Sequence, residues 1–205
     1  MKILKSNQLE EAAKLLNEGN VIAFPTETVY GLGVVYDNKE AFDKLVAIKR
    51  RPPEKPFTLM LADKEDIKKF AVLNKTSQKL VDHFMPGQFT MSTTAQPGLP
   101  EWCVSKIGHI GIRIADFDLI RDLIRKTGKP LLVPSANRSG EKPATNCEEV
   151  VKIFGDELPA VIEGKSISNL PSTIVLVEEK YTHVFREGAI KIDEIKKVIS
   201  EERVK

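Results

Sequence analysis

Residues 21–33 read Val-Ile-Ala-Phe-Pro-Thr-Glu-Thr-Val-Tyr-Gly-Leu-Gly, a short apolar run followed at once by a polar turn. The run 21–24 is short and ends at a proline, which indicates a buried strand. Before it, apolar side chains recur at helical spacing between Ser6, a predicted N-cap, and Gly19, a predicted helix stop. A helix that leads into a buried strand is typical of α/β domains.

Helix and strand patterns alternate along the rest of the chain. In one predicted strand, Ile110, Ile112 and Ile114 fall on one face and Arg113 on the other. Because strands and helices interleave and no long linker divides them, the sequence predicts one α/β domain over residues 1–205, with a short helical C-terminal tail. The further predicted helices are 39–51, 64–70, 77–84, 119–126, 146–154 (capped by Asn146) and 192–199, and the further strands are 57–61, 89–94, 108–115, 131–133, 173–177 and 183–186.

Composition excludes several classes of protein. Apolar residues make up 41% of the chain and charged residues 29%, which is globular rather than disordered. No apolar run approaches the roughly 20 residues that span a bilayer, and the N-terminus lacks the apolar core of a signal peptide, so we expect a cytoplasmic protein. The two cysteines and three histidines do not stand at zinc-ligand spacing, so no protein-held metal is expected.

Polar residues follow two of the predicted buried strands. Thr26, Glu27 and Thr28 come directly after the first strand, and Ser135 and Asn137 come after a later one. Ligands of α/β sheets bind at the carboxyl ends of strands, so these side chains are candidate contacts. Ordinary turns that use proline and glycine for their geometry explain the same residues. The first stretch alone leaves both interpretations open, whereas the second, taken singly, favours an ordinary loop.

Cations cluster where the second helix is predicted to end, at Pro52-Pro53. Lys49, Arg50, Arg51 and Lys55 lie within seven residues. Cations near a helix C-terminus complement its dipole by about 0.3–1 kcal/mol each, which needs no ligand. The prolines, however, stiffen the segment, and a fixed group of lysines and arginines suits a polyphosphate.

Arg113 is a further candidate, because a guanidinium on a sheet covered on both faces would need an anion. Arg186 and Ser172 lie at the end and the start of strands. The chain has no P-loop, no G-x-S-x-G elbow and only a lone G-x-G. These residues indicate a polar, cationic site that binds an anionic ligand without a side-chain nucleophile.

Seven short motifs in a fixed order carry a family resemblance. The chain resembles the YrdC-domain family of threonylcarbamoyl-AMP synthases over roughly residues 6–190. The motifs are Pro25-Thr-Glu-Thr-Val-Tyr-Gly-Leu-Gly33, Lys49-x-Arg51, Pro86-Gly87-x-x-Thr90, Gly111-Ile-Arg113, Pro134-Ser-Ala-Asn-x-Ser-Gly140, Pro171-Ser-Thr-Ile174 and Arg186-Glu-Gly188.

The resemblance implies a twisted mixed sheet flanked by helices, with a concave basic cavity. It also implies an activity: L-threonine, bicarbonate or CO2, and ATP with Mg2+ condense to threonylcarbamoyl-adenylate, and pyrophosphate is released. The adenylate then feeds the downstream machinery that modifies a tRNA adenosine, and direct contact with tRNA stays open.

Site roles follow from the same resemblance, position by position. Arg113 is the expected partner of the amino acid's carboxylate. Two departures from the family pattern are Gln88, where many relatives have proline, and Met60, where some have a polar contact. The expected catalytic set is Lys49, Arg51, Ser135 and Asn137; the expected ATP contacts are Lys49, Arg51, Lys55, Asn137, Thr145 and Arg186; and the expected threonine contacts are Thr28, Arg113, Ser135 and Ser172.

Two other functions use the same residues. An RNA-binding module without catalysis would place the cations against phosphates, but 31 basic and 29 acidic residues leave a net charge of only +2. A carbamoyl-transfer domain like that of hydrogenase maturation factors is a third alternative. Those proteins are much longer chains, which weighs against it.

Overall fold

The computed structural model of the chain describes residues 1–52, 56–168 and 170–200. Within these ranges the strands are β1 (Lys2–Leu4), β2 (Ile22–Phe24), β3 (Gly31–Val35), β4 (Leu59–Leu61), β5 (Phe89–Thr94), β6 (His109–Ile114), β7 (Leu131–Leu132), β8 (Ala160–Ile162), β9 (Thr173–Val177) and β10 (Thr182–Arg186). They form one mixed sheet in the order β1-β8-β2-β3-β7-β4-β6-β5-β9-β10. The helices are α1 (Leu9–Asn17), α2 (Lys39–Lys49), α3 (Ile67–Phe70), α4 (Lys75–Phe84), α5 (Asp118–Thr127), α6 (Cys147–Phe154) and α7 (Ile192–Ser200).

Both faces of the sheet are covered, and each face has its own apolar core. The alternation of strand β2 sends Ile22 and Phe24 into one core and Ala23 into the other. Helix α1 packs on the core of Ile22, and helix α4 lies on that of Ala23. The predicted α/β class, with a mixed sheet flanked by helices, is confirmed.

Strand directions bring two polar turns to the same edge of the sheet. Strands β2 and β7 both pair antiparallel with β3, so they run in the same direction. The turns that follow β2 and β7 therefore leave the sheet side by side. On the other half, β4 and β6 are parallel, β5 and β9 are parallel, and β10 pairs antiparallel with β9.

Several helix boundaries differ from the prediction: α3 begins at Ile67 and α4 at Lys75, and two further differences have a clear local cause. Helix α1 begins at Leu9, and Ser6 does not cap it, because Lys5 and Gln8 close a turn around Ser6: the Gln8 N–H donates to the Lys5 carbonyl at 2.9 Å, and the Lys5 N–H donates to Gln8 Oε1 at 2.8 Å. Helix α2 ends at Lys49, because Arg50 adopts a left-handed conformation with φ of 50° before the prolines. The predicted cap of α6 is confirmed: Asn146 accepts a hydrogen bond from the Glu149 N–H at 2.9 Å.

Three strands escaped the sequence analysis, namely β1, β3 and β8. Strands β1 and β8 have three residues each, and β3 begins Gly-Leu-Gly, which looks like a turn. None of the helices in the described ranges has the length and apolar character needed to cross a bilayer.

Gly33 is required in β3 by packing, and its replacement tests this part of the fold. A Cβ at this position would lie 2.4 Å from Cε1 of Phe24, a buried side chain. We expect Gly33→Ala to lower the free energy of unfolding by about 1–3 kcal/mol through overpacking. Urea unfolding monitored by circular dichroism measures this change.

Gly111→Ala, also within a strand, is the matched control for Gly33→Ala. The nearest atom to its Cβ would be Thr58 Oγ1 at 3.7 Å, an ordinary contact. We expect this variant to be neutral or more stable by about 0.4–1 kcal/mol, because alanine restricts the unfolded chain. If Gly33→Ala and Gly111→Ala lowered the free energy of unfolding by the same amount, the packing argument would be contradicted.

Candidate functional site

A cavity of about 410 Å³ collects residues from the polar segments that the sequence singled out. Its lining also includes Met60, Thr90 and Ile174, so strands β4, β5 and β9 form part of its wall. The predicted site residues that line it are Thr28, Arg51, Arg113, Ser135, Asn137, Ser172 and Arg186.

Backbone pairing joins the two turns that bound one side of the cavity. The Leu32 N–H donates to the Pro134 carbonyl at 2.9 Å, and the Ala136 N–H donates to the Tyr30 carbonyl at 2.7 Å. Gly31 lies opposite Ser135, where a Cβ would be 2.6 Å from Val133 Cγ1. Segments a hundred residues apart in sequence thus form a single wall.

Lys49 lies beneath this wall rather than on the cavity surface. Its side chain is buried, and Nζ donates to the Ser135 carbonyl at 2.6 Å and to Asn137 Oδ1 at 2.8 Å. Ser135 Oγ also donates to Asn137 Oδ1, at 2.6 Å. Lys49 therefore holds the serine and the asparagine in their places at the cavity.

The amide of Asn137 is fixed at both ends. While Oδ1 accepts from Lys49 and Ser135, Nδ2 donates to the carbonyls of Arg138 and Glu141 at 2.8 and 2.7 Å. Both amide protons are used within the protein. Asn137 thus shapes the loop that carries Ser135.

Arg51 enters the cavity from the segment after helix α2. Its guanidinium lies over the ring of Phe57, with Cζ 5.1 Å from the ring centroid. Burial lowers the pKa of Arg51. Its guanidinium nevertheless stays charged near neutral pH, because the pKa of arginine lies far above that range. The aromatic contact keeps this cation against the cavity wall.

Arg113 forms a buried ion pair with Glu27. Arg113 Nη2 lies 2.8 Å from Glu27 Oε1, and the two residues are 7% and 4% exposed. Glu27 Oε1 also accepts a hydrogen bond from the Asp116 N–H at 3.1 Å. Arg113 Nη2 donates further to Thr28 Oγ1 at 3.1 Å.

The hydroxyl of Thr28 belongs to a chain of hydrogen bonds with a defined direction. Thr26 Oγ1 donates to the Val29 carbonyl at 2.7 Å, which uses its only proton. The 2.9 Å contact between the two threonine hydroxyls must therefore have Thr28 as the donor. Thr28 can still accept a hydrogen bond from a ligand, but its proton is already used.

Arg186, the last residue of strand β10, also lines the cavity and contacts the segment before strand β9. Its Nε and Nη2 donate to the Ser172 carbonyl at 3.0 and 2.9 Å, and Nη2 donates to Ser172 Oγ at 3.2 Å. Ser172 Oγ also lies 2.8 Å from Thr90 Oγ1. Burial, and secondarily the charge of Arg113, lowers the pKa of Arg186.

Gly188 makes this arrangement possible by a close backbone approach. A Cβ there would lie 2.1 Å from the Pro171 carbonyl oxygen. The Gly188 N–H donates to the buried hydroxyl of Thr173 at 2.9 Å. The Arg-Glu-Gly motif is thereby held against the segment that carries Ser172.

Besides Lys49, one further predicted ATP contact of the described residues, Thr145, is not among the lining residues. Thr145 lies away from the cavity surface, and its N–H and hydroxyl both donate to Glu149 Oε2, at 2.7 and 3.2 Å. Lys55 lies outside the described residues. Their roles stay predictions.

Sequence reasoning missed the pairing of Glu27 with Arg113. It singled out Glu27 as one of three polar residues after a strand, and it argued separately that a buried Arg113 needs an anion. Joining these two arguments would have given the pair. Among residues 1–52, 56–168 and 170–200, no group of three or more His, Cys, Asp or Glu side chains is placed to hold a metal ion.

Fold and cavity together define an α/β protein whose cavity is lined by arginines and by hydroxyl and amide groups. The profile of the Sua5/YciO/YrdC family, described as "Telomere recombination", matches residues 14–188. The chain belongs to this family.

Two relatives are similar along most of their length. The chain is 34% identical to the threonylcarbamoyl-AMP synthase of Vibrio campbellii, over 87% of this chain and 98% of that protein. It is 35% identical to a putative threonylcarbamoyl-AMP synthase of Methanocaldococcus jannaschii, over 95% of this chain and 96% of that protein. These names indicate an enzyme of the nucleotidyltransferase type.

A solved structure with the same fold is P. abyssi Sua5 in complex with L-threonine. The TM-score is 0.93 at 27% sequence identity, and the match covers 98% of this chain. The chain spans 62% of the length of that Sua5 chain.

The buried ammonium of Lys49 makes folding depend on pH. Burial, with the charges of Arg51 and Arg138, lowers the pKa of Lys49 from 10.5 to about 7. Between these values the unfolded chain holds a proton at Lys49 that the folded chain has lost, so stability rises with pH. Charging the buried Lys49 lowers the free energy of unfolding. This loss is fully present below about pH 7 and disappears as the pH rises toward 10.5.

Lys49→Met removes this titration and serves as the reference. Between about pH 7 and pH 10.5, we expect the free energy of unfolding of the wild type to rise relative to that of Lys49→Met. The rise should be at most about 1.4 kcal/mol per pH unit. Urea unfolding at a series of pH values measures the difference. A constant difference between the two proteins would contradict the lowered pKa of Lys49.

Proposed function

We propose that the chain is a threonylcarbamoyl-AMP synthase that condenses L-threonine, bicarbonate or CO2, and ATP to threonylcarbamoyl-adenylate and pyrophosphate. The convergence of seven predicted site residues on one cavity carries the proposal. The names of the two relatives and the L-threonine complex of Sua5 support it. The product would supply the modification of a tRNA adenosine by downstream machinery in the cytoplasm.

We assign two groups of lining residues to the two larger substrates, one group as the threonine end of the cavity and the other as the ATP end. Arg113, with Thr28 beside it, offers a cation and a hydroxyl acceptor to the carboxylate and ammonium of an amino acid. Arg51 and Arg186 offer cations to the phosphates of ATP. Ser135 lies on the wall beside Asn137 and is held by Lys49, so it can contact either substrate.

The proposed reaction requires positioning rather than a covalent intermediate. The uncharged amine of threonine attacks CO2 and gives a carbamate, with loss of one proton. A carbamate oxygen then attacks the α-phosphorus of ATP, the bond to the bridging oxygen breaks, and pyrophosphate leaves. Arg51 and Arg186 would stabilise the charge that develops on the phosphates, and holding the substrates together removes translational freedom.

Mg2+ would enter with ATP as part of the substrate. It takes phosphate oxygens and water readily and needs few protein ligands. The described residues fit this role, since their contribution at the cavity is hydroxyls, amides and cations rather than a carboxylate cluster.

A threonine-dependent pyrophosphate-release assay with ATP and bicarbonate tests the proposal, and Arg51→Ala tests the ATP end. We expect the wild type to release pyrophosphate only when threonine is present. In Arg51→Ala the rate should fall at least roughly a hundredfold, since one preorganised charge contributes about that much. The exposed neighbour Arg50 provides the control variant, Arg50→Ala, with near-normal turnover expected. Threonine-independent release, or normal turnover of Arg51→Ala at saturating ATP, would contradict the proposal.

Arg113→Lys tests the threonine end without leaving Glu27 unpaired. An ammonium keeps the charge but loses the planar fork that holds a carboxylate. We expect KM for threonine to rise roughly tenfold, whereas KM for ATP should change little. Equal changes in both constants, measured in the same assay, would show that the two ends are wrongly assigned.

A further inference from the structure

Arg113 and Arg186 both line the cavity and differ in how their charge is balanced. Arg113 is paired with the carboxylate of Glu27 at 2.8 Å. Among the described residues, Arg186 donates instead to the carbonyl and hydroxyl oxygens of Ser172, which carry no charge. Within the described part of the chain, one of these two cations thus has a carboxylate partner and the other has none.

Glu27 stands behind the cavity wall, which Arg113, Thr26 and Thr28 form. Arg113 Nη2 is engaged by two neighbours: it lies 2.8 Å from Glu27 Oε1 as an ion pair and donates a hydrogen bond to Thr28 Oγ1 at 3.1 Å. Among the described residues Nη1 has no hydrogen-bond partner, so it is the amino group of Arg113 that a ligand can reach. The carboxylate therefore both balances the charge and sets which edge of the guanidinium the cavity receives.

A fixed pair of opposite charges suits a ligand that itself carries both charges. The carboxylate of an α-amino acid would meet Arg113 Nη1, and its ammonium would meet the acceptor of Thr28 Oγ1 and the negative field of Glu27. A phosphate has no positive group and would meet the repulsion of Glu27 without compensation. A bare guanidinium, by contrast, would attract phosphate strongly.

We propose that Glu27 determines the charge selectivity of the Arg113 end of the cavity, admitting a zwitterionic amino acid and excluding phosphate. Glu27 acts through Arg113 and is a positioning residue. The inference rests on the proposed function for the identity of the amino acid and the nucleotide. It explains how one cavity with three arginines keeps a polyphosphate away from its amino-acid end.

Calorimetric titration with inorganic phosphate tests the inference in the intact chain. Glu27→Gln keeps the shape of the side chain and removes its charge, whereas Glu27→Asp keeps the charge. We expect Glu27→Gln to gain a phosphate site at least roughly tenfold tighter than any at the Arg113 end of the wild type. Glu27→Asp should bind phosphate as the wild type does. The control is Glu157→Gln, which removes a carboxylate from Arg138 outside the cavity and should change nothing.

A competition experiment measures threonine affinity in the presence and absence of phosphate. A purely structural role of Glu27 would not make phosphate compete with threonine. Phosphate should leave threonine affinity unchanged in the wild type and in Glu27→Asp, and should compete with threonine in Glu27→Gln. Unchanged phosphate binding in Glu27→Gln would overturn the inference. Competition between phosphate and threonine in the wild type would also overturn it, even if thermal unfolding shows that Glu27→Gln does not fold. Failure of the wild type to bind threonine would contradict the proposed function, while the phosphate titrations still test Glu27.

Discussion

The burial of Arg113 is the constraint on which the site depends. Strand β6 lies inside a sheet covered on both faces, so a guanidinium there loses its water and must find a carboxylate. Glu27 supplies it from the turn after β2, which fixes where that turn passes over the sheet. The Glu27 carbonyl also accepts hydrogen bonds from the Ser168 N–H at 3.0 Å and from Gln88 Nε2 at 3.3 Å, which ties two more segments to the same residue.

A second buried cation plays the same part for the neighbouring turn, the one after β7. Lys49 replaces its lost water with the Ser135 carbonyl and Asn137 Oδ1, and thereby determines the course of the loop after β7. The two polar turns are also joined to each other through the backbones of Tyr30 and Ala136. Each of the two turns is therefore held by a desolvated charge whose polar contacts leave few alternatives.

Much of the fold could be predicted from the sequence because periodicity reports burial. Strand β9 and helix α7 agree with prediction to within a residue, and the cap of α6 follows from the hydrogen-bonding habit of asparagine. Strand β3 could not be found this way, since its glycines reflect the passage of Phe24 across the sheet and not a turn. The end of helix α2 likewise depends on the left-handed backbone at Arg50, which no local pattern shows.

For the site, sequence motifs named residues of which seven line one cavity, but they did not give the arrangement of these residues. The motifs named Lys49 and Arg113 together as ligand contacts, yet one supports the wall from beneath and the other faces the cavity with half of its guanidinium already engaged. Which hydrogen bonds a side chain has left for a ligand depends on neighbours distant in sequence, such as Thr26 for Thr28. The hydrogen-bonding capacity that a side chain has left, and not its residue type, sets which part of a ligand it can bind. Arg113 with Thr28 and Arg186 with Ser172 therefore differ as binding groups, although each pair presents an arginine and a hydroxyl.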